Sequence, residues 1–178
     1  MKNILTNSLF IGTTSIIVFS ILHFINPSLN FDFTLTYLIG SVIYLFFLIR
    51  AGFQQRKKLG GYLGFGEVFI SSIAIYAIGA LIGAMFTYIM VEFNPELTPI
   101  IQESSKSMNE SVLSMSGMSE EQIALIIEEA NENTDPEQIY TLSTVFIGWL
   151  GSIIFPGLLF ALIASLVTKK KDETENVE

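Results

Sequence analysis

The sequence contains no cysteine in its 178 residues. A disulfide, a Cys-x-x-Cys redox pair and a thiolate metal site are therefore excluded, as are a cysteine nucleophile and the lipidated cysteine of a bacterial lipoprotein. Histidine occurs only once, as His23, and it has no base partner that would build a hydrolytic triad. The sequence predicts no catalytic residue, no cofactor and no metal site, so we expect the protein not to be an enzyme.

Charge is also scarce. Only 15% of the residues are charged, against about 25% in a typical soluble domain, whereas 51% are hydrophobic. The mean hydropathy is +0.56. This composition is typical of a small integral membrane protein, which we expect to form one domain over residues 1–178. The net charge of −8 gives no reason to expect a nucleic-acid partner.

Four apolar segments are long enough to cross a bilayer, which takes roughly 20 residues. They cover about residues 4–25, 33–49, 68–90 and 139–167. Pro27 ends the first segment and leaves a short turn before the second. The first segment resembles a secretory signal, but its apolar region is too long and no cleavage site follows, so we interpret it as a retained helix.

The cations predict the orientation of these spans, because lysine and arginine collect on the cytoplasmic side. Eight of the nine cations fall on the same side of a four-span arrangement, and only Lys106 falls on the other side. The eight are Lys2, Arg50, Arg56, Lys57, Lys58, Lys169, Lys170 and Lys171. Both termini, including a tail over residues 169–178, are therefore expected to be cytoplasmic, in a protein of the inner membrane.

The segment between the third and fourth spans is acidic, with eleven acids in residues 91–138. Thr98 and Pro99 predict the start of one helix, and Gly117 its end. Ser119 and Gln122 form a capping box for a second helix. We therefore predict an external helical hairpin over about residues 95–133, with its apolar stripe against a second copy or the membrane surface.

The loop between the second and third spans reads RKKLGGYLGFGEVF from Arg56 to Phe69. It is not a phosphate-binding loop, because its lysines precede the glycines and no strand precedes them. A flexible cytoplasmic corner held to anionic headgroups is favoured instead. Glu67 then begins the third helix; pairing with Arg50 or Lys58, or a role with a coupling ion, remain open alternatives.

The segment NENTDPEQIYTL, residues 131–142, imitates a calcium-binding loop. The pattern fails at Pro136, where glycine is required, and at Leu142, where a bidentate glutamate is required. A specific calcium site is therefore not expected, although the acidic segment would attract divalent cations weakly.

Small and polar residues inside the spans predict helix contacts. Gly79 and Gly83 form a Gly-xxx-Gly pair that permits close packing in lipid. On the first span, Thr6, Thr13 and Ser20 recur every seven residues beside Asn7, and we expect this polar stripe to face the bundle. Pro156 predicts a kink in the fourth span, with the Ser152 hydroxyl compensating a freed carbonyl.

The chain resembles a bacterial membrane family, domain of unknown function 4199, in several short motifs. They are GGYLGFGEVF before the third span, the exit formed by Phe86, Tyr88 and Ile89, and Asn94–Glu96 after it. An acidic external segment and a lysine-rich tail complete the resemblance, which covers nearly the whole chain. It implies a bacterial inner-membrane protein and no activity, ligand or catalytic residue.

The predicted fold class is all-α, a four-helix transmembrane bundle with an extracytoplasmic helical hairpin between helices 3 and 4. The leading hypothesis is a non-enzymatic membrane or assembly component that presents this hairpin to a protein partner. The alternative is a small transporter or channel acting as a homo-oligomer. No charged residue lies in the middle of a span, which weighs against proton-coupled transport.

Overall fold

The computed structural model describes residues 2–115, 118–119, 121–126 and 140–170. These residues are helical apart from turns and one isolated bridge between Leu63 and Lys170. Gly117 and the tail beyond Lys170 lie outside the described residues. Most of the calcium-like segment, residues 131–142, lies outside them as well. So does most of the predicted second arm of the external hairpin, of which residues 121–126 are helical and follow the Ser119–Gln122 capping box.

Four helices are long and apolar enough to cross a membrane. The first three are α1 (Lys2–Ile25), α2 (Phe33–Lys58) and α3 (Phe65–Phe93), and the fourth covers Leu142–Thr168. The four predicted spans are therefore confirmed as apolar helices, which indicate a multi-pass membrane protein. The helix α2 continues well past the predicted end at residue 49, because Gln54–Lys58 are good helix formers even where the sequence becomes polar.

Local signals in the sequence set several helix ends. Asp32 caps α2 by accepting the backbone N–H of Leu35 at 2.9 Å. At the other end of α2, Gly60 and Gly61 have φ angles of 75° and 104°, which favour glycine. The loop that follows is attached to the end of the fourth span, since Leu63 and Lys170 exchange two backbone hydrogen bonds of 2.9 and 3.0 Å.

The fourth span is divided into α5 (Leu142–Ser152), a π-helical turn (Ile153–Gly157) and α6 (Leu158–Thr168). Phe155, just before Pro156, is extended, with φ −145° and ψ 118°. The predicted kink at Pro156 is thus confirmed. The Ser152 hydroxyl donates to the carbonyl of Trp149 at 2.7 Å, but this carbonyl also accepts the backbone N–H of Ile153 and is not one that Pro156 frees. The predicted compensation by Ser152 is therefore not seen.

The spans form a ring in which α1 contacts α2 and α3, and α6 closes the ring against both of them. Aromatic side chains fill the centre: Tyr44 and Tyr76 have ring centroids 4.7 Å apart, and Phe160 lies 6.2 Å from Tyr76. Aliphatic residues such as Ile11 and Leu48, both fully buried, complete this core. Much of the remaining apolar surface faces outward, as expected for helices surrounded by lipid.

The helix α4 (Leu97–Met115) lies outside the spans. It begins at Leu97, because turn hydrogen bonds from Leu97 to Asn94 and from Thr98 to Pro95 start it earlier than predicted. Thr98 is therefore not its N-cap, and that prediction was wrong. Leu97 and Ile101 pack on Val91 of α3, so this part of the predicted apolar stripe is buried within the chain itself.

Candidate functional site

The two ends of the bundle differ in charge. We call the end that carries Lys2, Arg50, Lys57, Lys58 and Lys169 the basic end, and the end that carries Asp32 and α4 the acidic end. No titratable group lies in the middle of a span except tyrosine. Among the described residues, no group of three or more histidine, cysteine, aspartate or glutamate side chains could hold a metal ion.

At the acidic end, the first half of α4 docks on the bundle. Ile101 is buried, and Ser104 donates a hydrogen bond from its hydroxyl to the carbonyl of Phe31. From Lys106 to Glu110 every residue is exposed. The bundle therefore fixes the rotation of α4 and leaves its polar side in water.

A groove of about 730 Å³ runs between α4 and the start of α2. We call it the acidic groove, and its main lining residues are Phe31, Asp32, Phe33, Ile100, Glu103 and Met108. It combines apolar walls with two carboxylates, and the lining includes no cation. Such a surface suits a ligand that is both apolar and positively charged.

Tyr140 joins the packing beneath α4, next to Val91, Leu97 and Ile101. Burial raises the pKa of Tyr140 to about 12, and a side-chain hydrogen bond with Thr87 acts in the opposite direction. The uncharged phenol is therefore the form that this packing favours.

At the basic end, Arg50 stacks on two aromatic rings. Its guanidinium carbon lies 5.1 Å from the ring centroid of Phe10 and 5.9 Å from that of Phe47. These rings are themselves stacked, with centroids 6.1 Å apart and planes 4° from parallel. The aromatic pair holds the guanidinium by cation–π attraction at the edge of α2.

Asn7 connects α1 to α2 near Arg50. Its side chain is 1% exposed, and its Nδ2 donates to the carbonyl of Asn3 at 2.8 Å and to Oε1 of Gln54 at 3.1 Å. The same Nδ2 lies 2.9 Å from Oδ1 of Asn3, so its two hydrogens are shared among three acceptors. The amide of Asn7 thus links α1 to Gln54 of α2.

Glu67 lies apart from Arg50. The Glu67 side chain is exposed and accepts the backbone N–H of Gly64 at 3.4 Å, in the role of a helix-start carboxylate. No ion pair within 4 Å joins Glu67 to Arg50 or Lys58, all of which the structure describes. The structure thus supports the helix-start interpretation and brings none of the suggested partners to Glu67.

The chain is similar to a protein family of unknown function. A model of a family described as protein of unknown function (DUF4199) matches residues 6–170. The chain belongs to the DUF4199 family. No curated protein and no solved structure matches the chain.

In this DUF4199 protein the polar stripe on α1 is oriented differently from the prediction. Asn7 and Ser8 are buried, whereas Thr6 and Thr13 are exposed. The prediction that Thr6 and Thr13 face the bundle was wrong. Contacts of Gly12 with Ile82 and of Ile11 with Gly79 set the rotation of α1, so close packing decides the inward face rather than the polar spacing.

The Gly-xxx-Gly pair of α3 is used unequally. A methyl group on Gly79 would lie 2.8 Å from Cγ2 of Ile11, so this glycine permits the contact between α1 and α3. A methyl group on Gly83 would lie 3.8 Å from Cβ of Ser15, an ordinary contact. The predicted close approach is confirmed at Gly79 only.

Sequence reasoning missed three contacts that hold the bundle together. Gly52 of α2 faces Thr168, and Gly157 faces the ring of Tyr76, each at distances that leave no room for a methyl group. Trp149 donates its indole N–H to the carbonyl of Ala77 at 2.8 Å. A glycine in a span can indicate a close helix contact, but the sequence does not show which residue of another helix it meets.

Proposed function

We propose that this DUF4199 protein is a non-enzymatic membrane component that binds a protein partner at the acidic groove. The supporting observation is the docking of α4 through Leu97 and Ile101, which gives the groove a fixed shape and leaves its carboxylates in water. A surface that is pre-formed loses little conformational entropy on binding. The partner is expected to offer a cationic side chain next to an apolar one.

Affinity purification of the tagged full chain from native membranes tests this proposal. The double variant Asp32→Asn/Glu103→Gln removes both carboxylates of the groove, and asparagine still caps a helix well. The matched double variant Glu92→Gln/Glu96→Gln removes two exposed acids of the same end that do not line the groove. The partner should be lost from the first variant and kept by the second.

Two results would contradict the proposal. Equal loss of the partner from both variants would show attraction to the acidic end as a whole rather than binding in the groove. Recovery of the wild-type chain with no stoichiometric partner, under conditions that preserve other membrane complexes, would remove the function itself. A second copy of the chain as the only partner would direct attention to the alternative below.

The alternative function is that of a small transporter or channel working as a homo-oligomer. The interruption at Ile153–Gly157 favours it, because broken helices near the middle of a membrane often form substrate sites. Flux through proteoliposomes, compared between the wild type and Pro156→Ala, tests this alternative. Absence of flux across a broad panel of ions and small solutes would rule against it.

A further inference from the structure

A second groove, independent of the acidic groove, runs along α2 at the basic end. It is an open surface groove of about 540 Å³, lined by Phe46, Ile49, Arg50, Phe53, Gln54 and Lys57. These positions recur at the spacing of one helix face. We call it the basic groove, and from it we propose that α2 holds the headgroup of an anionic phospholipid.

Most of the surface of the basic groove is apolar, and its two charged residues are Arg50 and Lys57. Both side chains can only donate hydrogen bonds. No carboxylate lines the groove, and Glu67, the nearest acid in sequence, is bonded to Gly64 instead. Among the described residues the two cations therefore lack an anionic partner, which a phosphate with a further negative charge would supply.

The apolar residues fix where the rest of the ligand would lie. Arg50 and Lys57 are seven residues apart, about 10 Å along the helix axis. This exceeds the roughly 5–8 Å that one headgroup region adds to the hydrocarbon core. A headgroup would therefore lie between Arg50, at the boundary with the hydrocarbon, and the Lys57 side chain, which would reach back from the outer surface. Phe46 and Ile49 continue the groove into the apolar layer, beside an acyl chain. A free phosphate would leave that half of the groove unused.

Arg50 is held in position for this contact. Stacking on Phe10 and Phe47 restricts its guanidinium before any ligand arrives. Arg56 is used differently, because it donates to the carbonyl of Thr168 at 3.4 Å and stabilises the corner. Lys58 and Lys170 carry charge at the same end but do not line the groove.

Native mass spectrometry of the full chain, released from mixed micelles, tests the site. The probes are phosphatidylglycerol and phosphatidylcholine of equal chain length. The wild type should retain one phosphatidylglycerol in preference to phosphatidylcholine. Arg50→Gln/Lys57→Gln should weaken that binding by about tenfold or more, since two charge-assisted hydrogen bonds are lost. Lys58→Gln/Lys170→Gln, which removes equal charge outside the groove, should change it less than about twofold.

Lys57→Gln alone keeps the test valid if the double variant does not fold, because Lys57 is exposed and its replacement leaves the stacked Arg50 in place. It should still weaken phosphatidylglycerol binding. Equal effects of the two double variants, or no lipid preference in the wild type, would overturn the site. Displacement of phosphatidylglycerol by millimolar inorganic phosphate would identify a free-anion site and overturn the lipid assignment.

Discussion

Gly79 shows how one absent methyl group sets the distance between two spans. Ile11, which it faces, is fully buried and has no room to move aside. Gly79→Ala should therefore lower the free energy of unfolding by about 1–3 kcal/mol, the usual cost of overpacking. Gly83→Ala is the matched control and should change it little. Thermal unfolding in a mild detergent measures both, and equal destabilisation would contradict the unequal packing seen here.

Tyr140 should make the stability of the acidic end depend on alkaline pH. The pKa of a tyrosine is near 10 in an unfolded chain, and burial raises it to about 12 here. The folded state thus keeps its proton more firmly, so the contribution of Tyr140 to stability is complete below pH 10 and is lost as pH rises toward 12.

Tyr140→Phe tests that dependence. Below pH 10 the variant should be less stable than the wild type by about 1 kcal/mol, because the hydrogen bond with Thr87 is lost. Between pH 10 and 12 the wild type should lose this advantage. The free energies of unfolding of the wild type and the variant, measured from pH 9 to 12, give this difference in stability. Both proteins contain the same lysines, so the titration of the lysines cancels in the difference. A difference that stays constant over this range would contradict the prediction.

At the scale of single residues, the sequence identifies small side chains but not what they meet. Gly79 was predicted correctly because a Gly-xxx-Gly pair is itself a packing pattern. Gly157 was missed because its partner, Tyr76, lies on another helix, and only the arrangement of the spans brings the two together. The rotation of α1, and with it the exposure of Thr13, could not be predicted for the same reason.

The helix α4 is the element whose stability should be easiest to change separately. Ile101 is buried in the packing that attaches this helix to the bundle. Ile101→Ala should weaken this attachment by about 2–5 kcal/mol, since a buried side chain is removed without refilling the space. Hydrogen exchange should then show faster exchange over Leu97–Met115 and unchanged exchange in α1 and α3.

Met108→Ala is the control for α4, because Met108 is 37% exposed and lies on the same helix. It should leave exchange in α4 nearly unchanged. Faster exchange in the spans after Ile101→Ala would mean that α4 supports the whole bundle rather than docking on it.

The ends of elements were predictable where a side chain caps the backbone. The turn at Pro27 and the Ser119–Gln122 box are local signals that need no knowledge of the fold. The start of α4 was misplaced because Pro95 and Pro99 both suit a first turn. The π-helical turn at Ile153–Gly157, which contains Pro156, could not be predicted from the proline alone, because this turn packs on α3.

At the scale of the whole molecule, the spans were predictable and their order around the bundle was not. Long apolar runs identify helices that cross a membrane, because lipid leaves no other partner for backbone polar groups. The same apolar character covers every side of the helices, so the sequence does not distinguish lipid-facing from inward positions. The acidic groove depends on the docking of α4, and the stacking of Arg50 on Phe10 depends on the order of the spans, which only the structure supplies.

The segregation of charge predicts the orientation of the molecule. Cations next to spans resist translocation, so the basic end is expected on the cytoplasmic side and α4 on the outside. The native chain contains no cysteine, which makes single cysteines specific reporters. Glu110→Cys and Lys58→Cys replace exposed residues at opposite ends.

A membrane-impermeant maleimide should label Glu110→Cys in intact cells, or in spheroplasts where a cell envelope blocks access. It should label Lys58→Cys only after the membrane is opened. Labelling of both variants in opened membranes is the control for accessibility. The reverse pattern would place the basic groove on the outside and α4 in the cytoplasm. Phospholipid in the outer leaflet would then be the available ligand for Arg50 and Lys57, and any partner of the acidic groove would have to be cytoplasmic.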